Sequence, residues 1–213
     1  GALDAIELDR DLPPILRTKF FRYGDKFRIF ETDAMKFDFR SLQEDERPLR
    51  VVGNLPYNIS TQLIFHLLSH AGIIQDMHFM LQKEVVDRMA AGPGENNYGR
   101  LGIMTQYYCA VEPLFVVPPG AFDPAPKVDS AIIRLTPYET LPHEAKDVTI
   151  LQNVVRTAFT MRRKTLRNNL KGLVSAEILE QLEIDPSQRP ERITLEQFVR
   201  ISDYLYHQKH TNG

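Results

Sequence analysis

The segment Asn54-Leu55-Pro56-Tyr57 places a side-chain amide, a carbonyl of restricted direction and an aromatic ring within four residues. It follows the apolar run 49–52, which predicts a strand, and an α/β sheet holds its ligands at the carboxyl ends of its strands. Pro56 favours an extended Leu55, which helps to turn the carbonyl of Leu55 or Pro56 outward. The side-chain oxygen of Asn54 and one such carbonyl can each accept one hydrogen of an amino group.

A pair of acceptors of this kind suits the chemistry of an adenine amino group. The lone pair of that group is delocalised into the ring, which makes it a poor nucleophile. Two acceptors that take both N6 hydrogens can direct the lone pair at an electrophile, while Tyr57 stacks on the base. In isolation, Asn-x-Pro is also ordinary turn chemistry, and Tyr57 is then a half-buried side chain.

A second aromatic side chain, Phe122, lies in the proline-rich segment 120–126. Prolines reduce the entropy lost on ordering a loop, so this segment suits the stacking of an extruded base, with Phe122 and Tyr57 on its two faces. The alternative is a turn that places Phe122 in the hydrophobic core.

Two acidic residues, Glu7 and Asp33, follow or end predicted strands. A carboxylate at the position of Glu7 can accept both hydroxyl hydrogens of a ribose, and Asp33 can accept a hydrogen bond from the amino group of a cofactor adenine. An acid at a strand end is also a common helix cap, so the residues alone leave both interpretations open.

Basic side chains are concentrated in residues 156–171, which contain no acidic residue, although the net charge of the chain is -2. Spacing predicts that Lys164, Arg167 and Lys171 share one helix face. The local imbalance favours contact with phosphates over a merely solvated face, and Arg100 and Lys127 can extend the surface. The basic residues in question are Arg156, Arg162, Arg163, Lys164, Arg167 and Lys171.

The 213 residues, of which 43% are hydrophobic, can hold one large domain and one small domain. The single cysteine, Cys109, excludes an intrachain disulfide and indicates a reducing compartment. His66 and His70 have a zinc-like spacing without a third ligand, so we expect no metal. No run of membrane-spanning length and no signal peptide are evident, so we expect a cytoplasmic protein.

Alternating strands and helices predict a mostly parallel sheet covered by helices over residues 1–138. The predicted strands are 5–8, 28–31, 49–52, 77–81, 112–117 and 130–135, and the predicted helices are 12–20, 61–70 after a Ser60 cap, 83–91 and 100–108. Residues 92–97 are expected to form a flexible loop, either a lid or a connector.

Residues 136–146 lack apolar periodicity and contain two prolines, which predicts a domain boundary. Residues 147–213 have helical spacing only, with helices predicted at 148–159, 165–173, 176–182 and 195–206, the last capped by Thr194. We expect residues 207–213 to form a frayed tail.

Seven sequence blocks, in order, resemble the small-subunit ribosomal RNA adenine dimethyltransferases, the KsgA family, over nearly the whole chain. The blocks are 5–9, 32–38, 54–60, 80–85, 98–101, 117–130 and 162–168. The resemblance implies an α/β, Rossmann-like S-adenosylmethionine-dependent methyltransferase sheet with a small C-terminal all-helical, RNA-binding domain. It implies that Gly1, Glu7, Asp33 and Asn54 contact S-adenosylmethionine, and that Asn54, Leu55, Pro56, Tyr57 and Phe122 contact the target base.

The sequence departs from this family before Glu7. The family has an additional strand, a Gly-rich loop and a helix before its Glu strand, whereas Gly1-Ala2-Leu3 is similar only to the tail of that loop and Asp4 follows at once. We expect that a loop and a helix belong between Leu3 and Asp4, because loss of a central strand would leave two neighbouring strands without hydrogen-bond partners.

The resemblance implies dimethylation of N6 on two adjacent adenosines near the 3' end of small-subunit ribosomal RNA, within an assembling 30S-type subunit, by a monomer. One alternative is a large-subunit ribosomal RNA dimethylase of the antibiotic-resistance type, against which residues 82–84 and 127–130 argue. Another alternative is a non-catalytic nucleic-acid-binding factor. Glu7, Asp33, Asn54 and Tyr57 argue against it, but the departure before Glu7 leaves it open.

Overall fold

The computed structural model describes residues 1–212, in which strands form two sheets. In the first sheet, β1 (Leu3–Glu7) pairs in parallel with β2 (Phe27–Glu31). The second sheet has the order β3-β4-β6-β5, where β3 and β4 are parallel and β6 is antiparallel to both of its neighbours. Its strands are β3 (Leu49–Asn54), β4 (Ile74–Gln82), β5 (Cys109–Val117) and β6 (Ser130–Pro137).

Each predicted strand is present, and β1 begins earlier than expected. Leu3 and Asp4 both lie within β1, so the structure continues directly across the point where we expected additional residues. Within residues 1–212, β1 and β3 each have one unpaired edge, and Val52 on β3 is 81% exposed. The strands therefore form two ladders in this part of the chain, with both parallel and antiparallel pairing, and their arrangement with the helices confirms the expected α/β, Rossmann-like class with a helical C-terminal part.

Helices cover the four-stranded sheet and form the C-terminal part of the fold. Two prolines occupy the first turn of α1, where they are tolerated because the first turn requires no intrahelical N–H donor. The helices are α1 (Leu12–Phe20), α2 (Ser60–Leu68), α3 (Lys83–Ala90), α4 (Arg100–Tyr108), α5 (Val148–Ala158), α6 (Leu166–Leu170), α7 (Ala176–Gln181) and α8 (Leu195–Thr211).

The predictions for two helix caps and for the C-terminal tail have different outcomes. Thr194 caps α8 in a reciprocal capping box with Gln197, as predicted from its position. Ser60 does not cap α2: it is the first helical residue, and its hydroxyl donates to the carbonyl of Tyr57 at 3.3 Å. The frayed tail is also wrong as far as the structure describes it, because α8 continues to Thr211. Gly213 lies outside the described residues.

Helix α4 links two hydrophobic cores. Leu101 packs in the core beneath the four-stranded sheet with Ile64 and Phe79, whereas Tyr107 packs in a second core with side chains of α5 and α8. Packing is thus continuous across residues 136–146. The division into domains at 1–138 and 147–213 stays a prediction.

The loop 92–97 is attached to the C-terminal part of the chain. The amide of Gly94 donates to the carbonyl of Glu191 at 2.6 Å, and the guanidinium of Arg162 donates to the carbonyls of Asn96 at 2.9 Å and Tyr98 at 2.7 Å. These contacts favour the interpretation of the segment as a connector over that of a lid.

Gly102 allows α3 and α4 to approach closely. A Cβ atom at Gly102 would lie 2.5 Å from the backbone carbonyl oxygen of Arg88, which belongs to α3. We expect Gly102→Ala to lower the free energy of unfolding by about 1–3 kcal/mol, because the helices must move apart. Gly172→Ala is the control, since no atom lies within 4 Å of its Cβ position. Equal urea unfolding curves for the two variants would contradict this packing.

Candidate active site

A cleft of about 510 Å³ opens at the carboxyl ends of β3 and β4. One side is formed by the segment that follows β3, and the other by the proline-rich loop between β5 and β6. The residues that line it are Asn54, Leu55, Pro56, Tyr57, Met80, Leu81, Phe122, Pro124, Pro126 and Ser130. The structure therefore brings together all five residues that the sequence analysis nominated for base contact.

Asn54 is the last residue of β3 and is exposed. Within the described residues its side chain has no hydrogen-bond partner, so its oxygen is available to a ligand. The amide of Leu55 donates to the carbonyl of Met80 at 3.3 Å, which extends the pairing of β3 with β4 by one residue. The backbone of Asn54 is thus held by the β3–β4 pairing before it in the chain and by the hydrogen bond of Leu55 after it.

The structure distinguishes between the two candidate carbonyl acceptors. The carbonyl of Pro56 accepts a hydrogen bond from the amide of Ile59 at 3.3 Å, so the turn already uses it. The carbonyl of Leu55 has no partner among residues 1–212, while the Leu55 side chain is buried beneath the strand. The second acceptor is therefore more readily supplied by Leu55 than by Pro56.

Tyr57 and Phe122 supply aromatic surface to the same cleft. Tyr57 is 57% exposed, and Phe122 is half-buried and belongs to neither core. The amide of Phe122 donates to the carbonyl of Pro119 at 3.1 Å, which fixes the backbone before the ring. The alternative in which Phe122 fills the core does not fit this placement.

Glu7 ends β1 and Asp33 follows β2, and neither residue lines the cleft. One oxygen of Glu7 accepts from the amide of Asp9 at 3.0 Å, and one oxygen of Asp33 accepts from the amide of Met35 at 2.9 Å. Asp33 thus caps a short 3₁₀ helix, as the alternative interpretation expected. The second oxygen of each carboxylate has no described partner. Gly1 precedes β1 and is exposed.

His66 connects the region of Asp33 to the helix that follows the Asn54 segment. Its Nε2 lies 2.8 Å from the carbonyl oxygen of Phe37, and its ring packs at 5.7 Å from that of Phe39. His70 lies beside it, 5.1 Å away between ring centroids. Both histidines are half-buried, and nothing in their spacing indicates the contact with Phe37.

All six basic residues of the segment 156–171 are exposed, but the side chains of two of them form hydrogen bonds within the protein. Arg162 binds the carbonyls of the loop 92–97, and Arg156 donates to the side chain of Asn153 at 2.7 Å. Within the described part of the chain, the other side chains have neither an ion pair nor a hydrogen bond. These four, called here the free basic group, are Arg163, Lys164, Arg167 and Lys171.

The prediction of one shared helix face is wrong for Lys164. Thr165 is the N-cap of α6, which ends at Leu170, so Lys164 precedes the helix and Lys171 follows it. The helix is shorter than predicted because residues 171–173 form a turn, in which the carbonyl of Leu170 accepts from the amides of Leu173 at 2.7 Å and Val174 at 2.9 Å. Arg100 lies at the start of α4 with its guanidinium 5.8 Å from the ring centroid of Phe65.

A second cleft of about 480 Å³ lies at the start of α3. Lys83 forms an ion pair with Asp87 at 2.7 Å, which raises the pKa of the Lys83 ammonium. The amide of Lys83 also donates to the carbonyl of Asp129 at 2.9 Å. The lining residues are Gln82, Lys83, Glu84, Asp87, Pro119, Lys127, Val128 and Asp129. Lys127 is exposed and lies here, away from the free basic group.

Two further findings concern residues 1–212. They contain no group of three or more His, Cys, Asp or Glu side chains arranged to hold a metal ion. None of the helices described is both long and apolar enough to span a membrane.

Comparison with known proteins assigns the family. The family model described as ribosomal RNA adenine dimethylase matches residues 2–207. The ribosomal RNA small subunit methyltransferase A of Hahella chejuensis is 65% identical over 206 residues, which cover 97% of this chain and 75% of the relative.

Two solved structures are similar to the fold. A dimethyladenosine transferase from Plasmodium falciparum has a TM-score of 0.79 and 26% identity, covering 99% of this chain and 83% of the other. The 23S rRNA methyltransferase ErmE has a TM-score of 0.70 and 22% identity, covering 96% of this chain and 82% of the other, which shows the shared fold alone. From the family match and the high identity, the chain belongs to the ribosomal RNA adenine dimethylase family.

Proposed function

We propose that this chain transfers methyl groups from S-adenosylmethionine to N6 of two adjacent adenosines near the 3' end of small-subunit ribosomal RNA. The observation that carries the proposal is the first cleft, which Asn54 and Leu55 line together with Tyr57 and Phe122. Two unengaged acceptors and two aromatic rings are the groups that an adenine with a reactive amino group requires.

The protein groups act by orientation. Asn54 and the Leu55 carbonyl accept the two N6 hydrogens, which holds the lone pair out of conjugation with the ring and directs it to one side. Tyr57 and Phe122 hold the faces of the base. The methylated nitrogen carries a positive charge and loses its proton readily, so no side chain is needed as a strong base. In a second round the monomethylated nitrogen has a single hydrogen, which one of the two acceptors takes, and transfer of a second methyl group followed by loss of that proton gives the dimethylated base.

S-adenosylmethionine supplies an electrophilic methyl group when it is bound. The chain fits such a ligand at the ends of β1 and β2, where Glu7 and Asp33 each retain a carboxylate oxygen without a described partner. Glu7 suits the ribose hydroxyls, and Asp33 suits the adenine amino group. Asn54 then contacts the methionine end of this ligand as well as the target base, and Gly1 lies at the start of the same strand.

Substitution of Glu7 by glutamine tests the ribose contact. We expect the KM for S-adenosylmethionine to rise about tenfold, because an amide cannot accept two hydroxyl hydrogens as strongly as a carboxylate. The matched control is Glu31→Gln, since Glu31 is paired with Glu7 in the β1–β2 register but binds Arg17. If both variants changed KM equally, Glu7 would not be the ribose ligand.

We infer that the RNA partner is docked by the basic residues and lies within an assembling 30S-type subunit in the cytoplasm, where the chain acts as a monomer. The free basic group supports this inference, because unpaired cations on an otherwise slightly acidic chain are available for phosphates. We also assign RNA contacts to Lys127, which lines the second cleft, and to Arg100, an exposed cation at the start of α4. Arg156 and Arg162 contribute charge while they also hold local structure.

Purified small and large ribosomal subunits that lack adenine methylation distinguish this proposal from its alternatives. With methyl-labelled S-adenosylmethionine, we expect label in the small-subunit RNA only. Label in the large-subunit RNA would indicate the antibiotic-resistance type of enzyme. Tight binding to small subunits without any label would indicate a non-catalytic factor.

A further inference from the structure

We propose that the second cleft binds the nucleotide adjacent to the target, so that the two neighbouring adenosines occupy the two clefts together. This inference rests on the proposed function. It assigns to Glu84 and Asp129 the recognition of the amino group of the neighbouring base, and to Lys127 a contact with its phosphate.

The two clefts share one wall. Leu81 and Ser130 line the first cleft, while the next residues in the chain on each side, Gln82 and Asp129, line the second. Gln82 and Ser130 are directly paired in the β4–β6 ladder, and the amide of Lys83 continues that pairing to the Asp129 carbonyl. The wall is therefore held by the sheet and not by a free loop.

The loop that carries Phe122 also contributes to both clefts. Pro126 lines the first cleft and Lys127, the next residue, lines the second. Three pairs of neighbouring residues, 81/82, 126/127 and 129/130, are thus divided between the clefts, which places the two clefts next to each other. The two clefts also have similar volumes, about 510 and 480 Å³. If the first cleft admits one adenosine, the second cleft is large enough for another.

The lining of the second cleft favours a base over a phosphate. Its five charged side chains include three carboxylates and two ammonium groups, so the cleft as a whole does not attract an anion. Lys83 and Asp87 form an ion pair, so one positive and one negative charge of the cleft neutralise each other. Among the described residues, the carboxylates of Glu84 and Asp129 have no side-chain partner.

Unengaged carboxylates are strong acceptors for the exocyclic amino group of adenine. Lys127 is exposed, has no ion pair in residues 1–212 and lies at the same wall, where it can meet the phosphate that joins the two nucleotides. The second cleft is then a specificity site. It selects a target that has an amino-bearing base as its neighbour and sets the register of the RNA strand relative to Asn54.

A double-mutant cycle, which combines a change in the protein with a change in the RNA, tests this assignment. Small subunits are reconstituted with RNA in which a synthetic 3' segment carries purine riboside, which is adenosine without its amino group, in place of either adjacent adenosine in turn. Because an RNA strand has a direction, the second cleft holds the neighbour on one fixed side of the target. The parent chain should therefore methylate the remaining adenosine about tenfold more slowly for one of the two replacements, as expected for a lost hydrogen bond to a charged group, and at the unchanged rate for the other.

The protein side of the cycle is the double variant Glu84→Ala and Asp129→Ala. Both side chains are exposed, so the fold should be retained. The variant should methylate unchanged RNA about tenfold more slowly than the parent and show no further loss with purine riboside. The control is Glu144→Ala with Glu180→Ala, two exposed acids outside both clefts, which should respond to purine riboside as the parent does.

Additive losses in the double variant, or an unchanged rate of the parent with purine riboside at both positions, would overturn the assignment while leaving the proposed function intact. Failure of the parent to methylate even unchanged RNA would refute the proposed function, and this assignment with it. The two kinds of failure are therefore separable within one set of reactions.

Discussion

Replacement of Asn54 by alanine should slow methyl transfer about 30- to 1,000-fold, which corresponds to a loss on the order of 2 to 4 kcal/mol in the barrier. The side-chain oxygen is one of two acceptors that hold the reacting amino group, and the carbonyl of Leu55 cannot direct the lone pair alone. Because the Asn54 side chain is exposed and has no hydrogen-bond partner in residues 1–212, its removal should leave the fold unchanged.

Single-turnover methylation of small subunits, at S-adenosylmethionine concentrations that saturate each variant, measures this effect on the transfer step. Asn97→Ala is the matched control, since Asn97 is also exposed but lies outside both clefts. Asn97→Ala should transfer methyl groups at the parent's rate. A loss of less than tenfold for Asn54→Ala would show that Asn54 does not orient the amine.

Replacement of Arg163, Lys164 and Arg167 by glutamine should weaken binding to small subunits about tenfold to a hundredfold near 0.1 M salt. The slope of log affinity against log salt should fall by about two to three units, because about three phosphate contacts are lost. Cofactor affinity should not change, since these residues lie at α6 and the turn before it, away from β1 and β2. Glutamine retains part of the aliphatic stem, which limits the loss of packing.

Arg162 is excluded from this variant because it binds the carbonyls of Asn96 and Tyr98, so its loss would also release the loop 92–97. A charge-matched control replaces Lys26, Lys146 and Lys209, all exposed, by glutamine. The affinity of each triple variant for small subunits is measured at a series of salt concentrations, and the two variants are compared. If both had the same affinity and salt slope, the free basic group would be only a solvated surface, and docking would have to depend on Arg100 and Lys127.

Local sequence signals predicted the elements of the fold well, and tertiary contacts account for the differences. Alternating apolar residues placed β3 and β4, and the Thr194–Gln197 pair placed the start of α8. The first turn of α6 is held by Pro186, which is distant in sequence from Arg167 and whose carbonyl accepts from its amide. Periodicity within one segment cannot register such a contact.

The same distinction applies to the site. Asn54 and Tyr57 could be found because their motif is contiguous and its chemistry is evident from the residue types. Phe122 lies in a second contiguous motif, but only the structure shows that it faces Tyr57 across one cleft. The Leu55 carbonyl is preferred over that of Pro56 because the Pro56 carbonyl already accepts a hydrogen bond from the Ile59 amide. The hydrogen bond of His66 is formed with the carbonyl of Phe37. Neither partner is marked by spacing in the sequence.

The most direct test of the account is the identity and position of the modified nucleosides. Small subunits that lack the modification are incubated with the chain and S-adenosylmethionine, and nuclease fragments of their RNA are analysed by mass spectrometry. We expect N6,N6-dimethyladenosine at two adjacent positions near the 3' end, and none with Asn54→Ala at short times. Methylation on another atom of adenine, on another base, or at no position would contradict the assignment of the Asn54 and Leu55 acceptors to an adenine N6 group.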